Sequence, residues 1–193
     1  MQIEQGERMG NKFLEDFTSE VGGILLGAYT AEQDQAIVDW NIQRNQLKWD
    51  KQLEFDMLDE EIDEFFTAKA LVDMMDAFVD TTFVLSGTVA KAKENDKIDE
   101  FKEIVTDLNL IEVMLKMYKI MTKEFNKRNR VEYKLFPEEL LYEAFNIVID
   151  ANNQKLKVGK SGKVEKPEGF VKPEEKIYNA IKEFEWKMKG NNE

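Results

Sequence analysis

The sequence predicts an all-α protein, a helical bundle, and three observations carry that prediction. Apolar residues recur at helical spacing along most of the chain, no stretch sustains the alternation of a strand, and the three prolines, Pro137, Pro167 and Pro173, all come late. A length of 193 residues with 42% hydrophobic content is enough for one sizeable core, so a single domain over 1–193 is expected.

Taken in order, a first helix is expected at about 10–28, with Gly22-Gly23 as a place for a break, and a second at 31–49. Over 51–67, a turn of about 100° per residue gathers Leu58, Ile62, Phe65 and Phe66 into the main apolar face. Leu53 and Met57 form a neighbouring ridge that includes Glu64. Glu61 falls between ridge and face, Glu60 on the margin, and Asp56, Asp59 and Asp63 on the wetted side. In a helix over 70–94, Asp73, Asp76 and Asp80 interrupt an otherwise apolar run and share a sector of roughly 60°. Helical periodicity continues over 98–128 with a break near Asn109. Pro137-Glu138-Glu139 opens a helix to 153, with proline at a first turn and acids that suit the helix dipole. Between Lys155 and Lys172 the composition shifts to Lys155, Lys157, Lys160, Lys163, Lys166 and Lys172 with Gly159, Gly162 and Gly169, a mobile loop or short hairpin. A last helix is expected over 174–188.

The aromatic residues Trp40, Trp49, Phe55, Phe65, Phe66, Phe78 and Phe83 are expected in the core, with one or two able to stack on a base. Asn41 and Arg44, one turn apart after Trp40, could add a polar corner to such a pocket, though an exposed helix face explains them more cheaply.

Composition removes several chemistries. The chain has no cysteine and no histidine, which excludes thiol catalysis, disulfides, Cys/His zinc sites, an imidazole base and a di-iron bundle built on Glu-x-x-His. Hard oxygen ligands remain, and these suit Mg²⁺, Mn²⁺ or Ca²⁺. A net charge of −12 argues against general nucleic-acid or anionic-membrane binding. The stretch from Val21 to Tyr29 is too short to cross a bilayer and the acidic start lacks a basic n-region, so a cytoplasmic protein is expected.

Two acidic clusters carry the functional argument: Glu60-Glu61-x-x-Glu64 and Asp73-x-x-Asp76-x-x-x-Asp80. A carboxylate among apolar residues is costly to desolvate unless it meets a cation or strong donors, and two such helices facing each other would make a magnesium site. The competing interpretation is a solvated stripe. Lys91 and Glu94 continue the aspartate azimuth and favour the stripe; Phe83, Val84 and Gly87 interrupt it and favour the site. The basic segment divides the same way, into a surface loop or a flap that carries ammonium groups to phosphate.

These residues resemble the all-α nucleoside triphosphate pyrophosphohydrolases, a superfamily that includes MazG, dimeric dUTPases and phosphoribosyl-ATP pyrophosphohydrolase. Glu61-x-x-Glu64 matches the first half of their E-x-x-E … E-x-x-D pattern. Asp76-Ala77-x-x-Asp80-x-x-Phe83-Val84-x-x-Gly87-Thr88 is similar to the version in phage-type members. Downstream, Asn152-x-x-Lys155, Gly162-Lys163-Val164-x-Lys166-Pro167 and Phe170-x-x-Pro173 resemble their C-terminal segment. Shorter acids, Asp73 or Asp76, replace the usual second-motif glutamate, and which of the two contacts metal stays open. Ala151 stands where serine is usual and Phe170 where tyrosine is usual. A glycine is missing before Pro167, and 98–136 is longer than expected.

The resemblance implies hydrolysis of a nucleoside triphosphate between its α- and β-phosphates, with catalytic helices at about 51–94 and a substrate loop at about 152–173. Glu61, Glu64, Asp76 and Asp80 would hold Mg²⁺, with Mn²⁺ as a substitute, and Glu60 or Glu61 would be the base. Lys155 and Lys166 would clamp phosphate oxygens, Asn152 would bind sugar or phosphate, and a homodimer or homotetramer is implied. Phosphoribosyl-ATP is the alternative substrate. A non-catalytic helical protein that binds nucleotide or metal is the alternative of another class.

Overall fold

The chain forms a succession of helices, described by a computed structural model over residues 16–17, 19–23, 25, 28–155, 157–158 and 164–190. A helical stretch within 16–25 precedes α1 (Ala31–Gln43), α2 (Lys51–Thr67), α3 (Leu71–Glu94), α4 (Ile98–Asp107), α5 (Leu110–Asn129) and α6 (Glu138–Asn153). Two-residue strands β1 (Lys157–Val158) and β2 (Val164–Glu165) pair antiparallel, and α7 (Pro173–Gly190) follows. The start of the expected 10–28 helix, together with Gly159, Lys160, Gly162 and Lys163, lies outside the described residues. Gly22 and Gly23 are both helical, so the expected break is not at this pair.

Local chemistry sets most of the boundaries. Thr30 and Gln33 close a capping box at the start of α1. The expected helix over 31–49 stops early, at Gln43. Asn45 takes a left-handed φ of 54°, the Gln46 amide donates to Asn41 O and the Asn45 amide to Ile42 O, a Schellman end in which asparagine does the work usually given to glycine. Asp50 then caps α2 by accepting from the Leu53 amide at 3.2 Å. The break near Asn109 is present, with Asn109 at φ 48° between α4 and α5. Pro137 sits at the cap of α6, one place before its first helical residue, and Pro173 is the first residue of α7.

α3 is the axis of the molecule and packs against all six other labelled helices. Between Met75 and Val89 it is buried nearly all round, which is why its sequence lacks a wide polar face. The main core joins Leu58, Ile62 and Phe65 of α2 to Met75 and Phe78 of α3, Phe101 and Ile104 of α4, and Met114, Met121 and Phe125 of α5. The long 98–128 stretch is therefore part of the core rather than an appendage. A smaller cluster links Ile37 and Trp40 of α1 to Phe83 and Ile149. Phe66, expected on the apolar face of α2, is a correction: it is 41% exposed, one position past the face that Phe65 anchors. Among the described residues no helix is long and apolar enough to cross a membrane.

Candidate functional site

The three residues 68–70 turn the chain between α2 and α3, and the two helices run back to back in opposite directions, with Glu54 near the start of α2 meeting Lys91 near the end of α3. On the side away from the core, a cavity of about 330 Å³ opens between them and is closed by the end of α6 and the residues before α7. That volume lies at the small end of ligand pockets. Glu60, Glu61 and Glu64 of α2 and Asp76 and Asp80 of α3 line it, opposite Asn152, Lys155 and Lys166. Periodicity explains the grouping: Glu61 and Glu64, and Asp76 and Asp80, recur three or four residues apart on facing stripes.

Of the two candidates left open by the second motif, Asp76 lines this cavity while Asp73 is exposed on an outer groove beside Thr67 and Lys69. Asn41 lines the cavity, its amide donating to Ile37 O at 2.9 Å. Arg44 does not; here the expectation of a base-contacting corner is corrected. Its guanidinium lies 4.5 Å from the Trp40 ring centroid and donates to the carbonyls of Trp40, Asn153 and Lys155, so it secures the C-terminal end of α6. Those helix-end carbonyls lack intrahelical partners and carry the negative end of the dipole, which draws a cation. Trp40 Nε1 adds a bond to Asn152 O at 2.8 Å.

That anchorage positions the cationic wall. Asn152 donates to Val148 O and accepts from Lys155 Nζ at 2.6 Å, and its amide also hydrogen-bonds Asp80. Lys155 and Lys166 both lie over the Phe170 ring, at 5.6 and 5.7 Å from its centroid.

The electrostatics are those of crowded acids. Burial, followed by the charges of Asp80 and Glu64, pushes Glu61 up to about 8. Burial, then Asp80 and Glu174, pushes Asp76 up to about 8. Asp80 is pushed by burial to about 6, with Lys155 and the Asn152 hydrogen bond pulling it back. Burial lowers the Lys155 ammonium, against the pull of Asp80.

Asp76 Oδ1 and Glu174 Oε2 are buried with no hydrogen-bond partner among the described residues. Carboxylates that repel one another and leave oxygens orphaned are a donor set whose charge and hardness fit a cation such as Mg²⁺. Among the described residues no group of three or more such side chains is gathered, as the side chains stand, closely enough to hold a metal ion.

The sequence did not point to Glu174, Glu54 or Lys91 as participants. Glu174, in the first turn of α7, lines the cavity, and Lys172 of the basic segment pairs with it there at 3.1 Å. The distance of Glu174 along the chain from the other acids left no local signal, and Glu54 left none either. Lys91 did leave one. Lys91 lies on the stripe of Asp80, and its inclusion as an argument for a solvated face is corrected by its burial against Glu54; Glu94 alone is exposed. No family model, no curated protein and no solved structure matches this chain.

Proposed function

We propose that the protein is a Mg²⁺-dependent nucleoside triphosphate pyrophosphohydrolase of the MazG-like all-α type, which cleaves its substrate to the monophosphate and pyrophosphate. One observation carries the reading: a single cavity has Glu61, Glu64, Asp76 and Asp80 on one wall and Lys155 and Lys166 on the other. Opposed acids and ammonium groups suit a metal–phosphate ligand, since the acids take the cation and the lysines take the oxygens.

Glu61, Glu64, Asp76 and Asp80 would hold Mg²⁺ or Mn²⁺, which when bound would neutralise phosphate charge and acidify a water. Glu61 is the base we favour over Glu60, because Glu61 is partly buried among the acids of the cavity whereas Glu60 is exposed at its margin. The attacking water gives its proton to that carboxylate as its oxygen joins phosphorus. The bridging P–O bond between the α- and β-phosphates breaks, and its electron pair leaves on the departing phosphate group. Lys155 and Lys166 hold phosphate oxygens, Asn152 reaches sugar or phosphate, and the edge-to-face pair Trp40 and Phe83 offers the base an apolar wall. Assembly as a homodimer or homotetramer belongs to the same proposal.

The deciding experiment incubates the protein with Mg²⁺ and a panel of ribo- and deoxynucleoside triphosphates plus phosphoribosyl-ATP. Equal amounts of pyrophosphate and monophosphate from a triphosphate are expected, and cleavage of phosphoribosyl-ATP alone would reassign the substrate. The absence of a gathered three-carboxylate group among the described residues favours a second reading, a helical nucleotide-binding protein without turnover. No cleavage at high enzyme concentration would select it.

A further inference from the structure

Glu54 and Lys91 form an ion pair whose side chains are 1% and 6% exposed. Lys91 Nζ donates to Glu54 Oε1 at 2.7 Å, and Thr88 Oγ1 donates to Glu54 Oε2 at 2.7 Å. Removing both charges from water is costly, and apolar side chains of similar volume would serve stability as well, so the pair calls for a reason other than packing. Lys91, unlike Glu54, lines the cavity. Both oxygens of Glu54 are engaged inside the protein. The ammonium has three donors, and Glu54 is its side-chain partner among the described residues.

The position of this pair limits what it can meet. Asp80, Val84, Gly87 and Lys91 follow one stripe of α3, and Lys91 stands about 16 Å beyond Asp80 along the helix axis. A ligand with its phosphates among the acids and Lys155 therefore reaches Lys91 with its other end. The pair is neutral as a unit and does not compete for phosphate. It offers a fixed N–H instead. Between the two ends stand Trp40 and Phe83, with ring centroids 5.3 Å apart, and Asn41, whose amide nitrogen is committed to Ile37 O while Oδ1 can accept. Flat apolar walls with one donor and one acceptor suit a neutral heterocycle.

We propose that Lys91, held by Glu54, is a specificity-determining residue that donates to a ring carbonyl oxygen of the nucleobase while Asn41 Oδ1 accepts from the adjacent ring N–H. The favoured substrates are then nucleotides of uracil, thymine or guanine, since adenine has no ring carbonyl for Lys91 and cytosine, whose carbonyl adjoins an unprotonated N3, has no ring N–H for Asn41. The inference rests on the nucleotide reading above.

The test compares the wild type with the Glu54→Leu/Lys91→Met double variant, which leaves no lone buried charge; the Thr88 hydroxyl, released from Glu54, has Val84 O at 3.0 Å as an acceptor. Two measurements are made: kcat/KM for each triphosphate with Mg²⁺, and the Kd of each monophosphate by calorimetry, which needs no turnover. The wild type should favour uracil, thymine and guanine, the bases with a ring N–H beside a carbonyl, by roughly tenfold to a hundredfold, the span of one charge-assisted hydrogen bond. The folded double variant should lose most of that ratio. A wild type with no preference, or one that prefers adenine or cytosine, overturns the inference whether or not the variant folds. An unchanged ratio in the variant overturns it too and leaves the hydrolase reading standing. Monophosphates bound with the expected preference while no triphosphate is cleaved would support base recognition and end the hydrolase reading; binding of no nucleotide would end both.

Discussion

Asp80 is held between opposed influences, with burial raising its pKa and Lys155 and Asn152 lowering it. Neutralising it removes one charge from a repelling cluster, so Asp80→Asn should abolish Mg²⁺-dependent pyrophosphate release while leaving the metal-free melting temperature equal or higher. A variant that unfolds, or one that retains full turnover, would argue against the assignment. Gly87 is constrained differently: a Cβ there would meet Asn41 Nδ2 at 3.0 Å, and that amide would have to give way. Helix propensity returns about 1 kcal/mol for Gly→Ala, against about 1–3 kcal/mol for overpacking. Gly87→Ala is thus expected to change stability by no more than about 2 kcal/mol yet raise KM, because Asn41 moves; steady-state kinetics beside a melt separates the two effects.

At the scale of elements, the pairing of α2 with α3 assembles the acids, and pH should report on it. An ordinary carboxyl titrates near 4, whereas Glu61 and Asp76 are raised to about 8. From about pH 4 to about pH 8 the folded state holds protons that the unfolded chain has released. That contribution to stability is complete below about 4 and is lost as pH rises through about 8. Metal-free melting temperature should therefore fall across that interval, and Mg²⁺ should flatten the decline; a flat metal-free profile would count against the crowding. The junction of α1 with α6 carries a separate expectation. Arg44→Met removes donors to the carbonyls of Asn153 and Lys155, so amide exchange should quicken at 152–155 and KM should rise more than kcat falls, at a stability cost of about 1 kcal/mol.

Over the whole molecule, one core runs from α2 through α3 to α4 and α5, so the long 98–128 stretch is structural. Phe101 is fully buried and meets Phe17 edge to face at 5.3 Å. Phe101→Ala should cost about 3–5 kcal/mol in denaturant unfolding, a loss that a merely peripheral stretch would not produce. Much of this architecture was legible, as at the Asn109 break and the three- and four-residue spacing of Glu61, Glu64, Asp76 and Asp80, because helical period is a local property. The end of α1 was not, since the turn depends on Asn45 adopting a left-handed φ that no hydrophobic period reveals. Arg44 was not legible for a similar reason: two of its three carbonyl partners, on Asn153 and Lys155, are more than 100 residues away.

By itself, the sequence determined the helical class, the absence of thiol and imidazole chemistry, and the stripes on which the acids stand. These follow from composition and from a repeat that spans a few residues. The tertiary structure alone decided that Asp76 rather than Asp73 faces the cavity, that Glu174 joins it, and that Lys91 turns inward to Glu54. The physical reason is that burial depends on the rotation and docking of helices distant in the chain, and a side chain's surroundings are fixed only when that packing is complete.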